Sequence, residues 1–137
     1  MKKLLTLAAL LSMLVASHAG AQGNPVDLGS DPALAIAGRD LPPTDVRVTQ
    51  ARGWLKKITE ATGETEEQVA ASCVKLSRFL FDSLRVRALP IEALEGLAVQ
   101  AVPGKALSDL TSGYFQARRA APDNSHAGAL ASLAKTK

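Results

Sequence analysis

The sequence predicts an all-α fold, a small helical bundle or orthogonal array of about four main helices. Three observations carry this. Apolar residues recur at three-and-four spacing in four stretches between 45 and 120. No stretch alternates apolar and polar residues as a half-buried strand would. The breaks between stretches are short and carry Gly63, Pro90 and Pro103-Gly104, which favours neighbouring antiparallel helices.

The chain has 137 residues and opens on a segment of a different kind. Met1-Lys2-Lys3 is a short basic start, and Leu4 to Ala16 is apolar except for Thr6 and Ser12. Ala19-Gly20-Ala21 then supplies the small-x-small pattern that signal peptidase reads. Residues 1–21 are therefore expected to be a signal peptide, cleaved between Ala21 and Gln22, with cleavage after Ala19 as the second choice. The apolar run is well short of the ~20 residues a spanning helix needs. No Cys follows it to carry a lipid. The expected destination is the periplasm or the exterior, with no stable membrane span after cleavage.

Residues 22–44 are rich in Gly and Pro and read as a leader, extended and partly mobile. One short helix fits inside it. Asp31 would cap it, Pro32 would occupy its first position, Gly38 would end it, and Leu34 and Ile36 would dock on the domain.

The helical domain is expected over 45–121. Its first helix spans Asp45 to Thr62, with Val48, Ala51, Leu55, Ile58 and Thr62 on one face and Trp54 at the edge. Gly63 suits a left-handed C-terminal cap. The second spans Thr65 to Leu89. Thr65 with Gln68 fits a capping box, and Glu66 and Glu67 complement the positive helix start. Its apolar set includes Val69, Cys73, Val74, Leu76, Leu80, Phe81 and Leu84, covering roughly 160° of its circumference against the ~100° of an ordinary surface helix. That width marks it as the spine of the domain. Lys75, Arg78, Asp82 and Arg85 form its wet face.

Pro90 stops that helix and starts the next, which buries Ile91, Leu94, Leu97 and Ala98 and breaks at Pro103-Gly104. The fourth runs from Lys105 to Ala120 on a stripe of Leu107, Leu110, Tyr114 and Ala117 widened by Phe115. The Ala/Ser/Lys-rich tail, 122–137, reads as a frayed helix through Leu130 and Leu133 or as disorder.

Charge and composition exclude several functions. The net charge of +3 falls to +1 once Lys2 and Lys3 leave, with 14 basic and 13 acidic residues remaining. That balance gives no electrostatic case for nucleic acid. Cys73 is the single cysteine, so no intramolecular disulfide forms and stability rests on packing. Cys73 and His126 are too few to build a zinc site, which takes three or four converging ligands. No cofactor is implied.

Catalytic patterns fail on their context. A triad would need His126, the one histidine after the signal, in a tail with no rigid support. Ser72-Cys73-Val74-Lys75 matches the S-x-x-K spacing of penicillin-recognising enzymes, but the companion motifs are missing and the chain is far too short for that fold. Glu64, Glu66, Glu67, Glu92 and Glu95 all sit in first helical turns, where the helix dipole explains them. Pro103-Gly104-Lys105-Ala106 lacks the second Gly and the Ser or Thr of a phosphate loop.

Surface remains. Trp54 and Phe79 are the candidates for an exposed apolar patch, with Arg78 and Arg85 beside them as hot-spot cations; the competing reading packs both aromatics inward. The expected function is that of an exported, non-enzymatic helical factor binding another envelope or exported protein, as an accessory of a secretion or conjugation system would. Homo-oligomers fit the same surface. Two alternatives stand beside it. One is an inhibitor or immunity protein presenting Glu64-Thr65-Glu66-Glu67 to an exported enzyme or toxin. The other is a carrier with an apolar cavity along Cys73, Leu76 and Leu80.

Overall fold

The computed structural model describes residues 26–136. The expected signal peptide and the Ala21–Gln22 cleavage point lie outside the described residues, as do the first residues of the leader. Every regular element among the described residues is helical. The described residues form six α-helices: α1 (Pro32–Ala37), α2 (Val46–Thr62), α3 (Glu66–Leu84), α4 (Pro90–Gln100), α5 (Leu107–Ala120) and α6 (His126–Ala134), with a 3-10 turn at Pro122–Asn124 before α6.

Local chemistry accounts for most boundaries. The Asp31 side chain accepts from the backbone N–H groups of Ala33 and Leu34, Pro32 opens α1, and the chain leaves at Gly38. Asp45 caps α2, and Gly63 ends it in the left-handed region at φ 77°, ψ 2°. Thr65 and Gln68 form the reciprocal capping box that opens α3. Gly104, at φ 86°, donates its N–H to the Ala61 carbonyl at 3.0 Å. The loop after α4 is thereby fastened to the end of α2.

The helix expected to reach Leu89 stops at Leu84. Arg85 enters the left-handed region (φ 57°, ψ 28°) and donates its N–H to the Phe81 carbonyl. Residues 85–89 are non-helical, Leu89 being held there by Pro90 behind it. The Ser77 hydroxyl donates to the Ala88 carbonyl and ties this linker back onto α3. The linker lets α4 reverse direction and bury its own apolar face.

The spine is α4, not α3. It packs against each of the other five helices, and Ala93, Leu94, Gly96, Leu97, Ala98 and Gln100 are all buried. On α3 the fully covered face narrows to Val69, Ala70, Cys73, Leu76 and Leu80. Val74 and Leu84 are partly buried, and Phe81 points to solvent. The low charge of α4 is the sign that alternation counts and stripe widths on α3 overlook: a helix apolar around most of its girth is an interior helix.

The described parts of the expected leader and tail are more ordered than their composition suggests. Inside the expected leader, α1 buries Ala33 and Ile36 against α2 and α3. The tail expected to fray forms α6. It is capped by Ser125, packs against α4 and α5, and buries Ala129 and Leu133. Tertiary burial, rather than propensity, stabilises helices this short.

Candidate interaction surface

Two kinds of site can be built from this scaffold, a polar cluster inside and an aromatic and cationic surface outside.

The polar cluster joins α4, α5 and α6. Tyr114 is fully buried, and its hydroxyl stands 2.9 Å from Arg118 Nη1 and 2.7 Å from His126 Nδ1. The guanidinium can only donate, so the phenol oxygen accepts from Arg118, and one proton is shared between that oxygen and His126 Nδ1. Its other ring nitrogen, Nε2, faces Glu95 Oε1 at 3.5 Å. Arg118 is 3% exposed and also donates from Nε to the Asn124 carbonyl at 2.7 Å. Asn124 returns two hydrogen bonds to the Arg118 and Arg119 carbonyls, closing the end of α5. Burial pushes the Tyr114 phenol up to about 12, the adjacent Arg118 pulling the other way. His126, expected in unsupported tail, is therefore fixed by two partners. The cluster acts as a strut, because Tyr114 of α5 and Glu95 of α4 both meet His126 of α6, and Arg118 holds the turn that leads into α6. A second buried polar group, Gln100, bridges the Gly96 and Leu110 carbonyls from Nε2 at 3.0 Å each.

Cys73 is fully buried, and burial alone pushes its thiol up to about 12. Ser72 gives its hydroxyl proton to the Gln68 carbonyl at 2.9 Å, one turn back in its own helix. Cys73 and Leu80 both lie in the packed core, and Leu76 reaches its edge. Among the described residues, no three of His, Cys, Asp and Glu stand close enough together to share a metal ion.

The outer surface is organised by α3. Phe79 is 53% exposed and rests on Phe115 of α5, ring centroids 4.9 Å apart and planes tilted by 44°. This pair closes one end of a groove along the α3–α5 seam, where Leu76 and Thr111 form the floor. Further along the seam, Ser72 and Lys75 lead into a wider concavity of about 610 Å³ that reaches Thr62, Glu64 and Ala106. On the other side of α3, Arg85 stacks over the exposed Phe81 ring at 5.7 Å. There Ser77, Arg78, Phe81, Asp82, Arg87 and Ala88 line a hollow of about 420 Å³.

The four expected surface residues divide accordingly. Phe79 is exposed, on the seam with α5. Arg78 and Arg85 belong to the hollow around Phe81. Trp54 is half-buried and packs against the core from α2. Phe81, assigned to the apolar stripe of its helix by spacing, is exposed, whereas Phe115 packs against the core as its stripe position implies and meets Phe79 at the surface. Angle alone does not separate Phe81 from that stripe: at 100° per residue, it falls between buried Ala70 and partly buried Val74, and it is exposed near the carboxyl end of α3.

Comparison with known proteins finds no matching family model, curated protein or solved structure. The functional reading therefore rests on the chain's own surface.

Proposed function

We propose that this chain is an exported, non-enzymatic helical bundle that binds another protein of the bacterial envelope, in the manner of an accessory to a secretion or conjugation system. The observation that carries the reading is the Phe79–Phe115 pair. Two aromatic side chains from different helices meet at the surface, one of them more than half exposed, above an open groove. Leaving half of such a ring in water forgoes about half of the ~1.5–3 kcal/mol that full burial is worth, and exposed apolar clusters rimmed by polar groups mark partner sites. Export is supported by the basic start, apolar run and Ala19-Gly20-Ala21 of residues 1–21.

The test is photo-crosslinking from position 79 in the native host, with mass spectrometry of the adducts. A specific protein adduct from position 79, absent from a control at exposed Gln50, is expected. The mature amino terminus should read Gln22. A strictly monomeric protein that forms no adduct, or a chain retained unprocessed in the cytoplasm, overturns the reading.

A further inference from the structure

We propose that the outer face of α3 recognises an acidic, apolar-anchored segment of its partner. This rests on the protein-binding reading and adds the chemistry of what is bound. The argument begins with the charges. Residues 26–136 hold 13 basic and 13 acidic side chains, a balance of zero. The exposed face of α3 and its linker departs from that balance. Beyond the first turn, which holds the exposed Glu66 and Glu67, it carries Lys75, Arg78, Arg85 and Arg87 against Asp82 alone, an excess of three positive charges over residues 75–89.

The cations differ in their engagement as well as in number. Towards the amino end, Arg39, Arg47, Arg52 and Lys56 each have a carboxylate within 4.0 Å: Asp27, Asp45, Asp31 and Glu60. Among the described residues, no carboxylate lies within that distance of the four cations on α3 and its linker. Arg85 is instead laid over the Phe81 ring, which orients its guanidinium without neutralising it. The aromatic residues complete the pattern. On a helix of 100° per residue, Phe79 and Phe81 stand about 160° apart across the solvent side, with Lys75, Arg78 and Asp82 between them. An apolar anchor thus has a place on either flank of a cationic ridge. Arginine beside exposed aromatics is the composition of interface hot spots, and the fork of a guanidinium pairs best with a carboxylate.

A folded protein segment fits this face better than a membrane does. The two aromatics look away from each other into separate concavities, and Asp82 stands in the middle of the ridge, where a sheet of anionic headgroups would meet it.

The test is a titration of the processed chain, isotope-labelled, with an 18-residue helical peptide followed by NMR. The peptide carries Leu and Phe at i, i+3, i+4 and i+7 and Glu elsewhere. A matched peptide replaces each Glu by Lys, and vesicles of phosphatidylglycerol serve as the lipid probe. Saturable shifts confined to α3 and residues 85–89 are expected for the Glu peptide only. They should weaken about threefold or more in 0.5 M salt, and about tenfold in the Arg78→Glu, Arg87→Glu variant. Both substitutions lie on exposed side chains, and an unchanged circular dichroism spectrum verifies the fold. Equal binding of both peptides, shifts centred elsewhere, no binding, or association with vesicles in preference to the Glu peptide each overturns the proposal. If crosslinking from position 79 still captures a partner in that case, protein binding stands and its acidic chemistry falls. If crosslinking captures nothing, the protein-binding reading falls as well.

Discussion

Gly96 of α4 lies directly beneath the ring of Tyr114 in α5. A Cβ built at position 96 would stand 2.2 Å from Tyr114 Cδ2 and 2.4 Å from Cε2. The missing side chain sets how closely the two helices approach, and it lets a large phenol occupy the centre of the domain with no exposed surface.

A pair of glycine substitutions should therefore move stability in opposite directions. Gly96→Ala inserts a methyl group into the Tyr114 ring and should cost about 1–3 kcal/mol by overpacking, despite the better helix propensity of Ala. Gly53, in the middle of α2, has nothing within 4 Å of its added Cβ. Gly53→Ala should stabilise by about 0.5–1 kcal/mol. Urea denaturation of the two variants checks both signs. Equal effects would mean that the α4–α5 spacing is not set at this contact.

The Tyr114 hydroxyl, tied to Arg118 and His126, makes alkaline stability a second test. The free phenol titrates at 10.0 and the buried one at about 12, chiefly through burial; the Cys73 thiol rises likewise from 9.0 to about 12. In both cases the folded state holds its proton over a range where the unfolded state has lost it. The stabilising contribution is thus complete below the unfolded values and is lost as pH rises through the folded ones. Tyr114 is the single tyrosine in the chain, so absorbance at 295 nm reports it alone. Its titration should be displaced towards 12 and coincide with loss of helicity. Tyr114→Phe should cost about 1–3 kcal/mol at neutral pH, because Arg118 and His126 lose a buried partner.

Asp31 offers the corresponding test on the acid side. Its carboxylate caps α1 and accepts from Arg52 of α2 at 2.6 and 3.2 Å. The Arg52 hydrogen bond is the main cause that holds it below the usual 3.8, with the backbone N–H groups of Leu34 and Ala33 adding to it against some desolvation. A depressed value means stability that is present above 3.8 and lost as pH falls through the folded value. Amide exchange should show α1 losing protection over that window. Asp31→Ala should cost about 1 kcal/mol as a lost cap and remove the pH dependence. Asp31→Asn should keep much of the cap and lose the dependence. Continued acid sensitivity of α1 in both variants would place its cause elsewhere.

How far these features were legible in the sequence depends on whether their cause is local. The caps at Asp31, Thr65 and Gly63 and the breaks at Pro90 and Pro103-Gly104 arise from a few consecutive residues, and the helices start and stop there. The stop at Arg85 does not. A left-handed arginine has no local preference for that conformation, and the docking of Ala88 and the reversal into α4 impose it. Arg118, a charged residue near the end of α5, is drawn inside by Tyr114 and Asn124. His126 gained support from Tyr114 and Glu95, residues 12 and 31 positions away. Stripe width on α3 was overcounted because its far edge, Phe81 and Val74, is exposed or only partly covered, and the rank of α4 was undercounted because its small residues, Gly96 and Ala98, add little to an apolar count. Phe79 was legible as an outlier from its own stripe, whereas its partnership with Phe115 needed the geometry of two helices.

Adjacent residues on α3 provide the last test, since Leu80 and Phe79 face opposite demands. Leu80 is fully buried between α3 and the rest of the core, while its neighbour is more than half exposed. Leu80→Ala removes packed methyl groups and leaves a cavity, at a cost of about 2–5 kcal/mol. Phe79→Ala forfeits mainly the contact with Phe115, about 0.5–1.5 kcal/mol for an aromatic pair, and less where water already reaches the ring. The contrast separates folding from recognition on one turn of helix. Leu80→Ala should lower the melting temperature and reduce crosslinking only in proportion to the unfolded fraction. Phe79→Ala should melt near the parent temperature and still lose partner capture from a probe placed at exposed Arg78. If Phe79→Ala retained full capture, Phe79 would be surface without function, and the groove beside Phe115 would lose its claim to be the binding site.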